Sequence, residues 1–202
     1  MPAPRPPQRP TTRTHHGATV TDEYGWLLDT TRSDEEVLTH LRAENAYVDE
    51  VLGHTADLQE TLFEEIKSRV LETDLSVPTH RDGWWYYSRT EQGAQYAISC
   101  RVAAGADATE PPDLDAPELR AEEQVLLDAN VEAERFDHGA DYFSIGVFNV
   151  SVDHTVLAWA ADDTGSETFD LRFRDLSGPG AGTDRDTVIE GVYYSSAWSA
   201  DG

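Results

Sequence analysis

The sequence has one cysteine, Cys100, one lysine, Lys67, and no long apolar run in its 202 residues. A single cysteine excludes an intramolecular disulfide. Cys100 ends the β-like run Tyr96-Ala97-Ile98-Ser99-Cys100. Nothing beside it in sequence would lower its pKa, so it reads as a small buried hydrophobe rather than a nucleophile. No segment approaches the roughly 20 apolar residues that a membrane-crossing helix needs. The opening residues Met1-Pro2-Ala3-Pro4-Arg5-Pro6-Pro7 lack the apolar stretch of a secretory signal, and the expected compartment is the cytoplasm. Basic residues are also scarce, 15 against 39 acidic ones, for a formal charge of −24. Nucleic acid and anionic membrane surfaces need basic patches, so neither is an expected partner. The charge would attract cationic peptides, but the acids are scattered rather than clustered, which favours a solubility role.

Catalytic constellations are missing too. A nucleophile elbow needs Gly-x-Ser-x-Gly, because a sharp strand-to-helix turn leaves no room for larger neighbours. The nearest case is Ser144, which has Gly146 after it but Tyr142 where the first glycine belongs. The seven histidines show no His-Glu-x-x-His spacing, and the one adjacent pair, His15-His16, is poorly placed to chelate one ion. No Gly-x-Gly-x-x-Gly or phosphate loop occurs. The sequence therefore predicts no catalytic residue, no metal site and no cofactor in this chain.

What is present reads as three parts. Residues 1–14 are proline- and arginine-rich and are expected to lie extended or disordered. Residues 15–75 contain two amphipathic helices. Ser33 with Glu36 predicts a capping box for the first, Val37, Leu38, Leu41, Val48 and Leu52 recur along it, and Gly53 predicts its stop. The second starts near Asp57 behind Thr55, with Leu58, Leu62, Phe63, Ile66 and Val70 on one face. Both apolar faces need cover.

Residues 76–202 change period. Asp82-Gly83 and Gln92-Gly93 predict turns around an aromatic strand at Trp84–Arg89, which is answered by a strand from Gln95 to Val102. Residues 104–123 read as a solvated loop, and Val125-Leu126-Leu127 as a short strand ended by Asp128-Ala129-Asn130. Strands then recur at Ile145–Val150, Thr155–Ala161, Thr168–Leu176 and Thr187–Val192. Four short antiparallel strands in about 50 residues is the size of one β-propeller blade. A Ser-x-Asp turn recurs as well, at Ser151-Val152-Asp153 and Ser199-Ala200-Asp201, 48 residues apart. Together these favour a propeller over a sandwich: two blades and the first strand of a third. A domain rarely ends on an unpaired edge, so the chain is expected to be incomplete.

Several of these segments resemble the prolyl oligopeptidase family of serine peptidases. Asp22-Glu23-Tyr24-Gly25-Trp26-Leu27-Leu28-Asp29, preceded by His16-Gly17, is similar to the family's opening motif, although Leu28 stands where Arg is common and Gly25 where bulkier residues are frequent. Glu44-Asn45-Ala46-Tyr47 resembles its Glu-Asn-x-Tyr. Trp84–Gly93, Tyr96–Arg101, Val125–Asn130 and Leu171–Leu176 are most similar to the oligopeptidase B (protease II) branch. The resemblance runs from about His15 to Gly202. It implies a seven-bladed propeller that admits only short peptides to an α/β-hydrolase domain carrying Ser, Asp and His, with cleavage after Lys or Arg. It also implies that the helices pack on that domain, which would cover their apolar faces. Triad and specificity residues lie downstream in the family, so none maps onto this sequence. The implied partners are short cationic peptides and a C-terminal α/β-hydrolase domain of the same polypeptide. A proline-specific relative and a non-catalytic β-scaffold are the alternatives.

Overall fold

The computed structural model describes residues 2–105, 110–114, 116–136 and 142–200. The chain divides into two compact units, Met1–Val70 and Leu71–Gly202.

In the first unit residues 2–10 have no regular secondary structure, and the last four residues of the expected 1–14 tail enter a hairpin of β1 (Thr11–His15) and β2 (Ala18–Asp22). The cause lies at its tip. His16 and Gly17 both have positive φ, 52° and 81°, the geometry of a two-residue turn that matches strand twist. Residues before the hairpin are also held: the Trp26 indole N–H donates to the Pro7 carbonyl at 2.9 Å, and Arg9 lies 4.5 Å over the Trp26 ring. Asp29 then organises the approach to the first helix. Its carboxylate accepts from the amides of Thr31, Ser33 and Asp34 and from the Thr31 hydroxyl. The Asp34 amide bond leads the causes that hold this carboxyl down at about 2. The conspicuous residues of the opening motif thus have local structural work.

Helix α1 spans Glu35–Leu52 and α2 spans Ala56–Lys67. The expected Ser33 cap is displaced by one residue. Asp34 is the N-cap, accepting from Glu36 N at 2.8 Å and Val37 N at 3.4 Å, while the Ser33 hydroxyl is engaged with the Thr31 hydroxyl at 2.7 Å. Gly53 does not stop the chain with a left-handed turn either. It keeps right-handed helical angles and leads through a single 3-10 turn into α2. Thr55 precedes α2 without capping it, since its hydroxyl donates back to the Leu52 carbonyl. Val37 is the one buried residue of α1, and α2 has none.

The second unit holds two antiparallel sheets in sequence. In the first, β5 (Trp84–Thr90) pairs with β6 (Ile98–Ala103), and β6 with β7 (Gln124–Asp128). The other edge of β5 is shared by two short strands, β3 (Asp74–Leu75) and β4 (Thr79–Arg81). In the second, β8 (Ser144–Val150), β9 (Val156–Asp162), β10 (Phe169–Asp175) and β11 (Asp184–Val192) follow one another as a meander. Asp82, at the β4–β5 turn, takes a φ of 53°.

Three expectations are corrected here. The loop expected over 104–123 contains helix α3 (Pro117–Glu122), started by a proline at its first turn, where the missing N–H costs nothing. Asp128-Ala129-Asn130 does end a strand, but Asp128 also caps helix α4 (Ala129–Arg135) by accepting from the amides of Asn130 and Val131. One carboxylate serves both purposes. Finally, Ser196–Ser199 is not a strand. It is tethered by side chains, with Asn149 Nδ2 donating to the Ser196 carbonyl and Trp198 Nε1 to the Asn149 carbonyl. Asp201 and Gly202, the rest of the repeat, lie outside the described residues.

The main core lies between the two sheets. Leu126 and Leu127 of the first sheet and Ala129 of α4 pack with Val150, Leu157, Trp159 and Ala161 of the second sheet and with Phe143 and Leu176 at its margins. Every residue of β9 is buried, and Leu157 and Trp159 are wholly so. Burying a tryptophan of this kind removes about 200 Å² from water, worth on the order of 4 kcal/mol.

Candidate functional site

Polar contacts across the two sheets are unusually long-range in sequence, and they centre on two buried arginines. Arg101, on β6, donates from Nε to Gln124 Oε1 at 2.8 Å, from Nη1 to the His154 carbonyl at 2.8 Å, and from Nη2 to the Leu176 carbonyl at 3.3 Å. Its guanidinium lies 3.8 Å over the Trp84 ring. Gln124 reinforces the joint by donating to the same Leu176 carbonyl at 2.7 Å. One planar cation thereby satisfies carbonyls of the second sheet that would otherwise be stranded between sheets.

Arg174, on β10, makes the reciprocal joint. It bonds Glu132 of α4 at 2.8 Å and Asp184 of β11 at 2.7 Å, and reaches the Leu126 carbonyl of the first sheet. Trp159 Nε1 donates to Asp184 at 3.1 Å. Burial alone would push the Asp184 carboxyl up, but the Arg174 hydrogen bond and charge outweigh it and hold it below the usual carboxylate range. Burial likewise works against the Arg174 cation, and its two carboxylate partners reverse the effect.

A third contact runs through the β8–β9 turn. His154, at a φ of 62°, places Nδ1 2.7 Å from the Tyr86 hydroxyl and Nε2 2.9 Å from Asp82 Oδ2. Arg81 adds bonds to the Val150 and Ser151 carbonyls. Ser151 and Asp153, singled out as a repeat, close this turn through the Ser151 hydroxyl and the Thr155 amide.

The residues considered for chemistry fall elsewhere. Ser144 opens β8 and pairs with Asp162 at the end of the β8–β9 ladder. Gly146 is explained without an elbow: a Cβ there would meet the Phe169 ring at 2.4 Å, and the ladder shifts register beside it. Cys100 is fully buried, and burial, followed by the nearby Glu123 charge, pushes its thiol up to about 12. Glu123 itself accepts from Tyr87 at 2.6 Å and from Arg89 at 3.1 Å. Burial would raise its carboxyl, but these two partners hold it low. His15 and His16 belong to the β1–β2 hairpin, and no group of three or more His, Cys, Asp or Glu side chains converges among the described residues. No helix among them is long and apolar enough to cross a membrane.

The seam arginines were not singled out as sequence. Their signal is a charge inside an apolar strand, Arg101 between Cys100 and Val102 and Arg174 after Phe173, since buried arginines are rare unless paired.

A cavity of about 630 Å³ opens at the end of the unit where the β5–β6 turn meets α4 and the start of β8. Tyr96, Phe136, Tyr142 and Phe143 supply rings to its wall, with Asn130 and Glu134 beside them. Asn130 fixes Tyr96 from both sides, accepting from its amide and donating to its carbonyl, each at 2.9 Å.

Comparison with known proteins agrees with this geometry. The family described as "Prolyl oligopeptidase, N-terminal beta-propeller domain" matches residues 4–202. The chain is 38% identical over 189 residues to dipeptidyl aminopeptidase BI of Pseudoxanthomonas mexicana, covering 93% of the chain and 25% of that protein. It is 30% identical over 183 residues to protease 2 of Moraxella lacunata, covering 91% and 24%. It also superposes on oligopeptidase B from Trypanosoma brucei with covalently bound antipain, closed form, at a TM-score of 0.75 and 28% identity, over 98% of the chain and 27% of that structure. The chain thus spans about a quarter of the length of the relatives it matches. No α/β-hydrolase fold occurs among the described residues, and both sheets lie within the matched propeller domain. The chain belongs to the prolyl oligopeptidase family, as a part of its N-terminal β-propeller domain.

Proposed function

We propose that these residues are the propeller portion of a cytoplasmic serine oligopeptidase that hydrolyses short peptides after Lys or Arg, the propeller restricting access to a triad carried downstream. The observation that carries this reading is the 28% identity to oligopeptidase B over 98% of this chain. The similarity to protease 2 and the charge of −24 support it. In this role the chain supplies no reacting atom. The Arg101 and Arg174 joints hold two blades as one wall, and the apolar faces of α1 and α2 pack on the hydrolase domain.

The 38% identity to dipeptidyl aminopeptidase BI favours a second reading, release of dipeptides from a free amino terminus. One assay separates them. The full-length protein is given an N-blocked arginyl amide, the same peptide with a free amino end, and a prolyl amide. Cleavage of the blocked arginyl substrate, abolished by a serine-directed inhibitor, supports the first reading. Turnover of the unblocked dipeptidyl substrate alone supports the second, and turnover of the prolyl substrate alone removes both. Residues 1–202 by themselves are expected to give no inhibitor-sensitive turnover.

A further inference from the structure

We infer that the His154 imidazole is a proton-sensitive catch between the two sheets, seated while the ring is neutral and half released when the ring gains a second proton. The ring stands on the β8–β9 turn with its side chain 10% exposed, and both of its hydrogen-bond partners belong to the first sheet. Asp82 and His154 occupy matching places, each two residues before the next strand, β5 or β9, and both hold left-handed angles, φ 53° and 62°. Residues other than glycine keep such angles only where their surroundings over-determine them.

Donor counting places the proton. The Arg101 guanidinium has donors only, and its Nη1 meets the Tyr86 hydroxyl oxygen at 3.3 Å. That oxygen therefore accepts from Arg101, and its own hydrogen goes to His154 Nδ1, 2.7 Å away. Nδ1 is then the bare nitrogen, and Nε2 carries the proton that it donates to Asp82 Oδ2 at 2.9 Å. The chain from Arg101 through Tyr86 and His154 to Asp82 is complete with a neutral ring. A second proton, on Nδ1, turns two donors towards the Tyr86 oxygen and leaves the tyrosine hydrogen without an acceptor among the described residues. The new charge also lies close to the buried Arg101 guanidinium, whereas Asp82, the carboxylate bonded to the ring, is 74% exposed and its attraction is screened. The other charged groups at the joint are engaged elsewhere: Arg81 with the Val150 and Ser151 carbonyls, Asp153 with Ser151 and Thr155. The second imidazole of the first sheet, His80 on β4, lies against Trp85 at 4.7 Å. Acid thus keeps the Asp82 side of the catch and loses the Tyr86 side.

Imidazoles as a class change charge between about pH 5 and 8, which is the range to scan. Hydrogen exchange by mass spectrometry on the full-length protein reads the catch from peptides covering residues 80–86 and 150–156, whatever peptide bond the protein cleaves. After division by the intrinsic chemical rate, exchange in both is expected to rise about three- to tenfold from about pH 8 to about pH 5.5, the worth of one hydrogen bond. His154→Asn suits the left-handed backbone and still offers Tyr86 an acceptor, but it cannot gain a proton, so its exchange is expected to stay within about twofold over that range. Tyr86→Phe is expected to exchange at the acid level at both ends of the range. Wild-type exchange that is flat, or that slows in acid because the Asp82 ion pair dominates, would overturn the catch. So would an undiminished acid rise in His154→Asn or Tyr86→Phe.

Discussion

Helix α2 and strand β9 are both apolar in pattern, yet they end in opposite environments. All seven residues of β9 are buried, enclosed by β8 and β10 at its edges and by the first sheet across the core. In α2, Leu58, Leu62, Phe63 and Ile66 form one face and all are about half exposed or more. Periodicity tells which face needs cover, and it does not tell whether the same chain provides it. In residues 71–202 the cover is local, because successive hairpins stack one sheet on the next. The helices have no such neighbour within their own unit.

Substitutions can break this contrast, and the largest effect is expected at its centre. Trp159→Ala removes a fully buried ring and one of the donors to Asp184, and should cost about 3–5 kcal/mol in urea unfolding of the second unit. Arg101→Met keeps the bulk but takes the Arg101 donor from the His154 carbonyl and leaves the Leu176 carbonyl to Gln124. A loss of about 3 kcal/mol is expected, together with loss of cooperativity between the two sheets. If the sheets still unfold as one, the Arg174 and His154 joints and the apolar core hold them without Arg101.

Gly146→Ala should cost about 1–3 kcal/mol through overlap with Phe169, and Phe169→Leu in the same chain should recover part of it. Acid should act on the polar joints. The Asp184 and Glu123 carboxyls are held below their ordinary values of 3.8 and 4.5, so their contribution is present above those values and lost as pH falls through the lower folded ones. Melting temperature should therefore drop on the acid side of about pH 4, and less so in Asp184→Asn. At the other extreme, Phe63→Ser in α2 should change stability by no more than about 0.5 kcal/mol, because little packing is lost.

Much of the strand order was legible, because the aromatic hairpin and the meander carry their own turn signals. Gly93 and the Asp82-Gly83 pair mark the first, and the Asp162 carboxylate, which collects the amides of Thr164, Gly165 and Glu167, marks the second. Helix α4 was missed because Asp128 looks like a strand terminator whether or not a helix follows. At the start of the chain, composition suggests an extended tail over 1–14, and its last four residues join the hairpin that His16-Gly17 turns. The seam was least legible. Arg101 finds Leu176 75 residues away, and no local pattern announces such a partner. The same holds for the aromatic cavity, whose walls come from a turn, a helix and the beginning of a strand.

Hydrogen exchange of the 202-residue chain tests most directly whether its stability resides in the seam-locked pair of sheets rather than in the helices. Amides of β6 and β9 should exchange only through opening close to global unfolding, and those of α1 and α2 orders of magnitude faster. Protection of α2 equal to that of β9 would contradict the account.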